Sequence, residues 1–177
     1  MGKTVINNKV TTLGDYLLSV YQYHQLIFSF AKRDLKARFV QTKLGVLWMI
    51  IQPLIALAIF TIFFDQLIKL ETGDVPYVAF AFSGMTIWYF FTNMVNSAGT
   101  ALINSQELIR KVYFPKILLP IAKIVVATIE FFVAFSLLII IMLVVGLDFS
   151  PKIIFLPVAI LMTILVGSCV AIWLNIL

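Results

Sequence analysis

One cysteine, Cys169, and one histidine, His24, are all that the 177 residues offer to redox or soft-metal chemistry. A single thiol closes no disulfide framework within one chain, and a lone imidazole builds no metal cluster. Charge is scarce too: Asp, Glu, Lys and Arg make up 12% of the sequence against 62% hydrophobic residues. That is too little charge to clothe a soluble domain of this size. Paired intramembrane carboxylates, a Ser/His pair and metal-ligand spacing are missing as well, which leaves a membrane-embedded enzyme the weakest of the functional classes. Gly2-Lys3-Thr4 ends like a phosphate-binding loop but lacks the preceding glycine and strand, and Ile6 stands where a myristoylation signal requires Ser or Thr. The leader is expected to stay attached, because its charged region is too long for a cleavable signal and no small-residue cleavage site follows a short apolar core.

What is present is apolar length. Four runs, approximately Leu44–Phe64, Val78–Ala101, Ile117–Val145 and Ile153–Leu174, approach or exceed the ~20 residues that cross a bilayer as helix. The fold class is therefore an all-α integral membrane protein, with an N-terminal amphipathic interfacial helix and four transmembrane helices. The net charge of +5 does not point to nucleic acid, because the charges cluster at membrane boundaries. Lys3, Lys9, Lys32, Arg33, Lys36, Arg38 and Lys43 precede the first run, and Arg110, Lys111 and Lys116 sit in the joint 104–116 against Glu107. The joint 65–74 instead carries Asp65, Lys69, Glu71 and Asp74. The Lys/Arg bias places the leader and the joint 104–116 in the cytoplasm, and leaves the joint 65–74 and the turn 147–152 outside. Residues 1–43 then form a cytoplasmic segment and 44–177 the transmembrane domain.

Between Leu26 and Phe39 the apolar residues Ile27, Phe30, Ala31, Leu35 and Phe39 recur at helical spacing, while Lys32, Arg33, Lys36 and Lys43 mostly face elsewhere. Asp34 and Arg38 stand one turn apart, positioned to pair. This reads as a helix lying in the membrane face, either a juxtamembrane anchor on anionic lipid or a mechanical element. The joint 104–116 predicts a second short helix. Ser105 is placed to cap it, Glu107 lies in its first turn, Leu108 and Val112 share a face, Arg110 and Lys111 favour its C-terminal end, and Pro115 stops it.

Within the spans, Trp88, Tyr89, Phe90 and Phe91 adjoin a polar stripe of Asn93, Asn96, Ser97 and Thr100. Small and amide side chains pack helices together, and aromatics form interfacial belts. The alternative is that Tyr77, Trp88 and Tyr89 offer flat faces to sugar rings while Asn93 and Asn96 meet glycan hydroxyls. Glu130 sits inside the third run, where an unpaired carboxylate costs ~2.5–3.5 kcal/mol, so it is expected to face protein or water. A proton relay would need another acid, a His or an intramembrane Lys to hand a proton on. None is read within the spans, and a protonated or hydrogen-bonded packing role is expected. Gly45, Pro53, Gly84 and Pro157 are candidate kinks or close-packing points.

Three stretches resemble a known family. They are Arg33-Asp-Leu-Lys-Ala-Arg38 with Gln41-Thr-Lys-Leu-Gly-Val-Leu-Trp48 through Gln52-Pro53; Trp88-Tyr-Phe-Phe-Thr-Asn93; and Leu108-Ile-Arg-Lys-Val-Tyr-Phe-Pro-Lys116 followed by Leu119-Pro120. In order and spacing they are similar to the membrane subunits of ABC transporters that export polysaccharides, including O-antigen, capsule and teichoic acid permeases. The resemblance implies a homodimer of six-span subunits in the cytoplasmic (inner) membrane, with the N-terminus inside. Each subunit would be served by a separate ATPase chain that carries the ATP and Mg; no cofactor is expected on this chain. The pathway for a lipid-linked polysaccharide would run between the subunits. By the same resemblance Glu107, Leu108, Arg110, Lys111, Tyr113 and Phe114 are the ATPase-coupling residues, and Phe30, Lys32, Arg33, Asp34, Lys36 and Arg38 belong to an interfacial gate helix beside the membrane lipids. Tyr77, Trp88, Tyr89, Asn93 and Asn96 are the candidate substrate-pathway residues. The departure is that four runs are present where the family has six, which suggests a truncated or incompletely covered subunit, the alternative being a natural four-span variant. A membrane scaffold that recruits cytoplasmic partners without transport is the alternative function.

Overall fold

A computed structural model describes residues 20–40, 45–68, 72–73, 75–112, 114–147 and 151–175. Gly2, Lys3, Thr4, Ile6, Lys9, Gln41, Thr42, Lys43, Leu44, Lys69, Glu71, Asp74 and Tyr113, named above, lie outside the described residues. Among the described residues every regular element is helical. Helix α1 spans His24–Val40, α2 Trp48–Phe60, α3 Tyr77–Gly99, α4 Gln106–Lys111, α5 Leu118–Val145 and α6 Leu156–Leu174. Four helices are long and apolar enough to cross a membrane: α2 with its continuation to Asp65, α3, α5 and α6. The chain is a multi-pass membrane protein.

The span limits differ from the sequence reading by a few residues, for local reasons. A 3₁₀ turn over Gly45–Leu47 precedes α2, so the first span starts at Trp48, and beyond Phe60 the helix widens to π-helical turns over Thr61–Leu67. Pro151–Phe155 forms another 3₁₀ turn, so α6 starts at Leu156 and Pro157 occupies its first turn, where a missing N–H costs nothing. Gly146 closes α5 with φ 76°, and Leu147 N donates to Met142 O at 3.0 Å. Only a residue at ease in the left-handed region ends a helix that way.

Helix α3 is central, packing against α5 and α6, while α1 lies along α5. Phe90 and Phe131 meet with ring centroids 4.6 Å apart, and with Met94 and Ala127 they form the mid-depth core. Leu57, Phe82 and Leu138 join α2, α3 and α5 towards the end opposite the basic joint. Lipid is as apolar as these side chains, so close packing and polar contacts, rather than burial from water, hold the spans together. Gly84, one of the expected close-packing points, has nothing within 4 Å of a Cβ position. Close approach occurs instead at Gly167, where a Cβ would lie 2.0 Å from Met94 Cε, and at Gly99, where it would lie 3.1 Å from Leu174 Cδ1. Small residues on α3 and α6 therefore set that crossing.

Asn175 ties the same two helices together at the basic end. Its Nδ2 donates to Ala98 O at 2.6 Å, and its Oδ1 accepts from Leu102 N at 3.3 Å. One side chain thus satisfies Leu102 N and gives Ala98 O a second donor beside Ala101 N.

Candidate functional site

The joint between α3 and α5 is shorter in helix than its sequence suggests. A 3₁₀ turn over Ile103–Ser105 leads into the six residues of α4, and Val112 is extended at φ −134° and ψ 135°. Ser105 makes no side-chain cap bond. With φ −116° and ψ 19° it sits outside the extended backbone region from which a hydroxyl reaches back to the first turn. Glu107, Arg110 and Lys111 point outward, the Lys111–Glu107 contact being a loose 3.8 Å between exposed groups. Leu108 and Ile109 turn inward against a cluster built on Ala101, Phe114, Leu118 and Leu119.

The same cluster receives the first half of α1. Leu26, Ile27 and Phe30 pack on it, with the Phe30 and Phe114 rings 5.5 Å apart, and the Arg33 guanidinium lies 5.2 Å from the Phe30 centroid. The two elements that the sequence treats separately are therefore joined by apolar contact. Ala31 is buried at 3% exposure, whereas Lys32 and Lys36 are exposed.

The second half of α1 makes ionic contacts instead. Asp34 is held by Lys123 Nζ at 2.8 Å and by Arg33 Nη2 at 2.9 Å. Arg38 Nη1 donates to Glu130 Oε1, Asn93 Nδ2 donates to Glu130 Oε2, and Ser97 Oγ donates to Asn93 Oδ1 at 3.2 Å. A polar chain thus runs Ser97–Asn93–Glu130–Arg38 across three helices. The expected Asp34–Arg38 pair within α1 does not form, because each of the two finds a partner of opposite charge on α5. Lys123 was passed over in the sequence: one lysine near the start of α5 scarcely changes the apolar character of a 28-residue helix. Glu130 is consequently not isolated. Burial pushes the Asp34 carboxyl up, but the Lys123 ammonium and Arg33 guanidinium outweigh it and hold the group below its ordinary value of 3.8.

Above this chain lies a cavity of about 640 Å³ between α2, α3 and α5. Tyr89, Thr92, Asn93, Asn96, Gln52, Glu130 and Arg38 give its wall polar groups, while Trp48, Phe82, Phe90 and Phe131 give it apolar faces. Of the five residues proposed for a substrate path, Tyr89, Asn93 and Asn96 line it. Tyr77 is buried at the first turn of α3, and Trp88 lies on the exposed face at 63% exposure, so neither joins them. Gln52 and Trp48 were visible in the sequence only as motif letters. The signal that a wall passes through them is the amide interrupting an otherwise apolar run. Among the described residues no three His, Cys, Asp or Glu gather closely enough to hold a metal ion.

A polar cavity inside the helical bundle is thus bounded by α1, which also packs against the short basic joint. No protein-family model matches the chain. An O-antigen export system permease protein, RfbA, of Myxococcus xanthus is 27% identical over 142 residues, 80% of this chain and 54% of that protein. Two RfbA permease proteins of Klebsiella pneumoniae are 22% and 23% identical over 122 residues, 69% of this chain and 46% of theirs. The chain spans about half the length of the curated relatives it matches. The resemblance read from the three motifs is thereby borne out: this chain is similar to O-antigen export permeases over most of its own length.

Proposed function

We propose that this chain is the transmembrane part of an export permease that moves a lipid-linked polysaccharide outward across the cytoplasmic membrane, driven by a separate ATPase subunit. The observation that carries the reading is one line of contact. It starts at the basic, outward-pointing side chains of α4, passes through Leu108, Ile109 and Phe114 to Phe30, and ends at Arg38 on the wall of the cavity. In this reading Arg110, Lys111 and Glu107 meet a cleft of the ATPase, and ATP with Mg is bound and hydrolysed there. This chain is not itself an enzyme.

A partner shifts such an equilibrium only by gripping α4 differently in its two states. Closing of the ATPase would drag α4, and α1 would follow because the Phe30–Phe114 contact joins them. The mixed lining suits an amphipathic cargo: Tyr89 and Trp48 supply flat faces, and Asn93, Asn96 and Gln52 supply hydroxyl partners. A second copy of the subunit would complete the pathway, with the N-terminus and α4 on the cytoplasmic side. The names of the relatives support O-antigen-type glycans as the first class to test.

The test is reconstitution of the full-length permease with its ATPase in vesicles loaded with undecaprenyl-linked glycan. ATP-dependent transfer of the glycan, together with its loss in Arg110→Glu/Lys111→Glu while the permease remains folded, is expected. Transfer unchanged by that double reversal removes the coupling role, and a permease that never retains an ATPase chain on purification removes the function.

A further inference from the structure

The two ionic contacts between α1 and α5 have an order that neither contact has alone. Asp34 and Arg38 are one turn apart on α1, and their partners Lys123 and Glu130 are two turns apart on α5. Along α1 the signs read minus then plus; along α5 they read plus then minus. Moving α1 one turn towards the start of α5 sets Arg38 against Lys123; moving it one turn the other way carries Asp34 off Lys123 to a point midway to Glu130, and a second turn sets Asp34 against Glu130. Like charges meet at the first step in one direction and the Asp34–Lys123 pair is lost at the first step in the other, among side chains largely withdrawn from water: those of Asp34, Glu130 and Lys123 are 14%, 16% and 25% exposed. One-turn steps of a helix along its neighbour, about 5.4 Å, are otherwise an accessible way for packed helices to rearrange. Asn93 adds a third restraint by holding the second Glu130 oxygen from α3.

We propose that Lys123 and Glu130 are positioning residues whose alternating charges fix the register of the interfacial helix. Axial slip of α1 is opposed in both directions, so it leaves the cavity wall by lifting, with both ion pairs broken together. Repulsion between Arg38 and Lys123 excludes a step in one direction, and loss of the Asp34–Lys123 attraction opposes a step in the other. The inference deepens the export reading, since it names how α1 moves in that cycle. The register itself does not depend on transport.

The experiment inverts the charges in sets, in full-length permease in which Cys169 and any other native cysteine are replaced. Spin labels at the exposed positions Ala37 on α1 and Ser136 on α5 report the separation of the two helices in lipid nanodiscs, without ATPase or glycan. Asp34→Arg with Arg38→Asp makes both contacts like-charged and is expected to shift or broaden the distance distribution. Adding Lys123→Glu and Glu130→Lys restores opposite signs and is expected to recover it. An unshifted distribution in the first set, or failure of the second set to recover it, overturns the register role.

Export by the same variants, with the ATPase present, is expected to fall about tenfold in the first set and to return in the second, a coupling of the size seen between directly interacting residues. Where inverted proteins fail to fold, the same labels are read in Asp34→Asn/Arg38→Gln, which removes both attractions without adding repulsion and is expected to broaden the distance distribution; an unbroadened distribution overturns the register role. Failure of the export reading appears instead as absent transfer in the unmodified protein with a normal, charge-dependent label distance.

Discussion

Removing the Arg38 guanidinium strands Glu130 beside Asn93, and the consequence for stability follows from where the two charges sit. Glu130 is 16% exposed at its side chain, while Arg38 is 45% exposed. Breaking a fully buried pair by deleting one partner costs ~3–5 kcal/mol, because the remaining ion keeps its desolvation penalty without its attraction. Exposed pairs are worth ~0–1 kcal/mol. With one partner largely buried and the other half-exposed, Arg38→Met is expected to cost about 1.5–3 kcal/mol, between those limits. Arg38→Met/Glu130→Leu removes both charges and is expected to lose less than the single change, since apolar replacement of a buried pair is often neutral. Asn93 then keeps an unused amide, so the double variant should not exceed the unmodified protein by more than ~1 kcal/mol. Unfolding by graded denaturing detergent, followed by circular dichroism, compares the three proteins. A double variant as unstable as Arg38→Met, or a single variant indistinguishable from the unmodified protein, would refute the argument that Glu130 is held by this partner.

Asp34 gives a dependence on pH. Its carboxyl is held below 3.8 in the folded chain, so its contribution is fully present above that ordinary value and is lost as pH falls through the lower folded value. Asp34→Asn should therefore be less stable than the unmodified protein at neutral pH, with the gap closing only in acid below about 3.8; a gap that persists unchanged at still lower pH contradicts the assignment. At the α3–α6 crossing, Gly167→Val should destabilise by about 1–3 kcal/mol, as overpacking does, because the Met94 methyl it would strike is itself fully buried. Gly84→Val, where open space surrounds the Cβ position, should cost less, and equal thermal stability of the two variants would count against the crossing described.

The spans and the interfacial helix were legible because both are patterns along one segment: apolar length for the first, helical spacing of Ile27, Phe30 and Ala31 for the second. Pairing between segments was not. Asp34 and Arg38 look like a local pair in sequence, and only the course of α1 along α5 decides that Lys123 and Glu130 take them instead. Trp88 and Tyr89 are adjacent in sequence, yet a helix turns them through about 100°, so one lines the cavity while the other faces outward. The cap expected from Ser105 failed because Ser105 closes the 3₁₀ turn that follows α3, which leaves its backbone outside the extended region. Gly167 and Asn175 carry no local signature at all. Their roles exist only because α6 returns beside the end of α3.

The central claim is that motion delivered to α4 reaches the cavity through the Phe30–Phe114 contact. It is tested most directly by Phe114→Ala in the reconstituted, glycan-loaded permease–ATPase complex, with ATP hydrolysis and glycan transfer measured together. The account predicts that the ATPase stays bound and continues to hydrolyse ATP while transfer per ATP falls about tenfold or more, as expected when one of two contacting residues is removed. Transfer per ATP equal to that of the unmodified complex would contradict it.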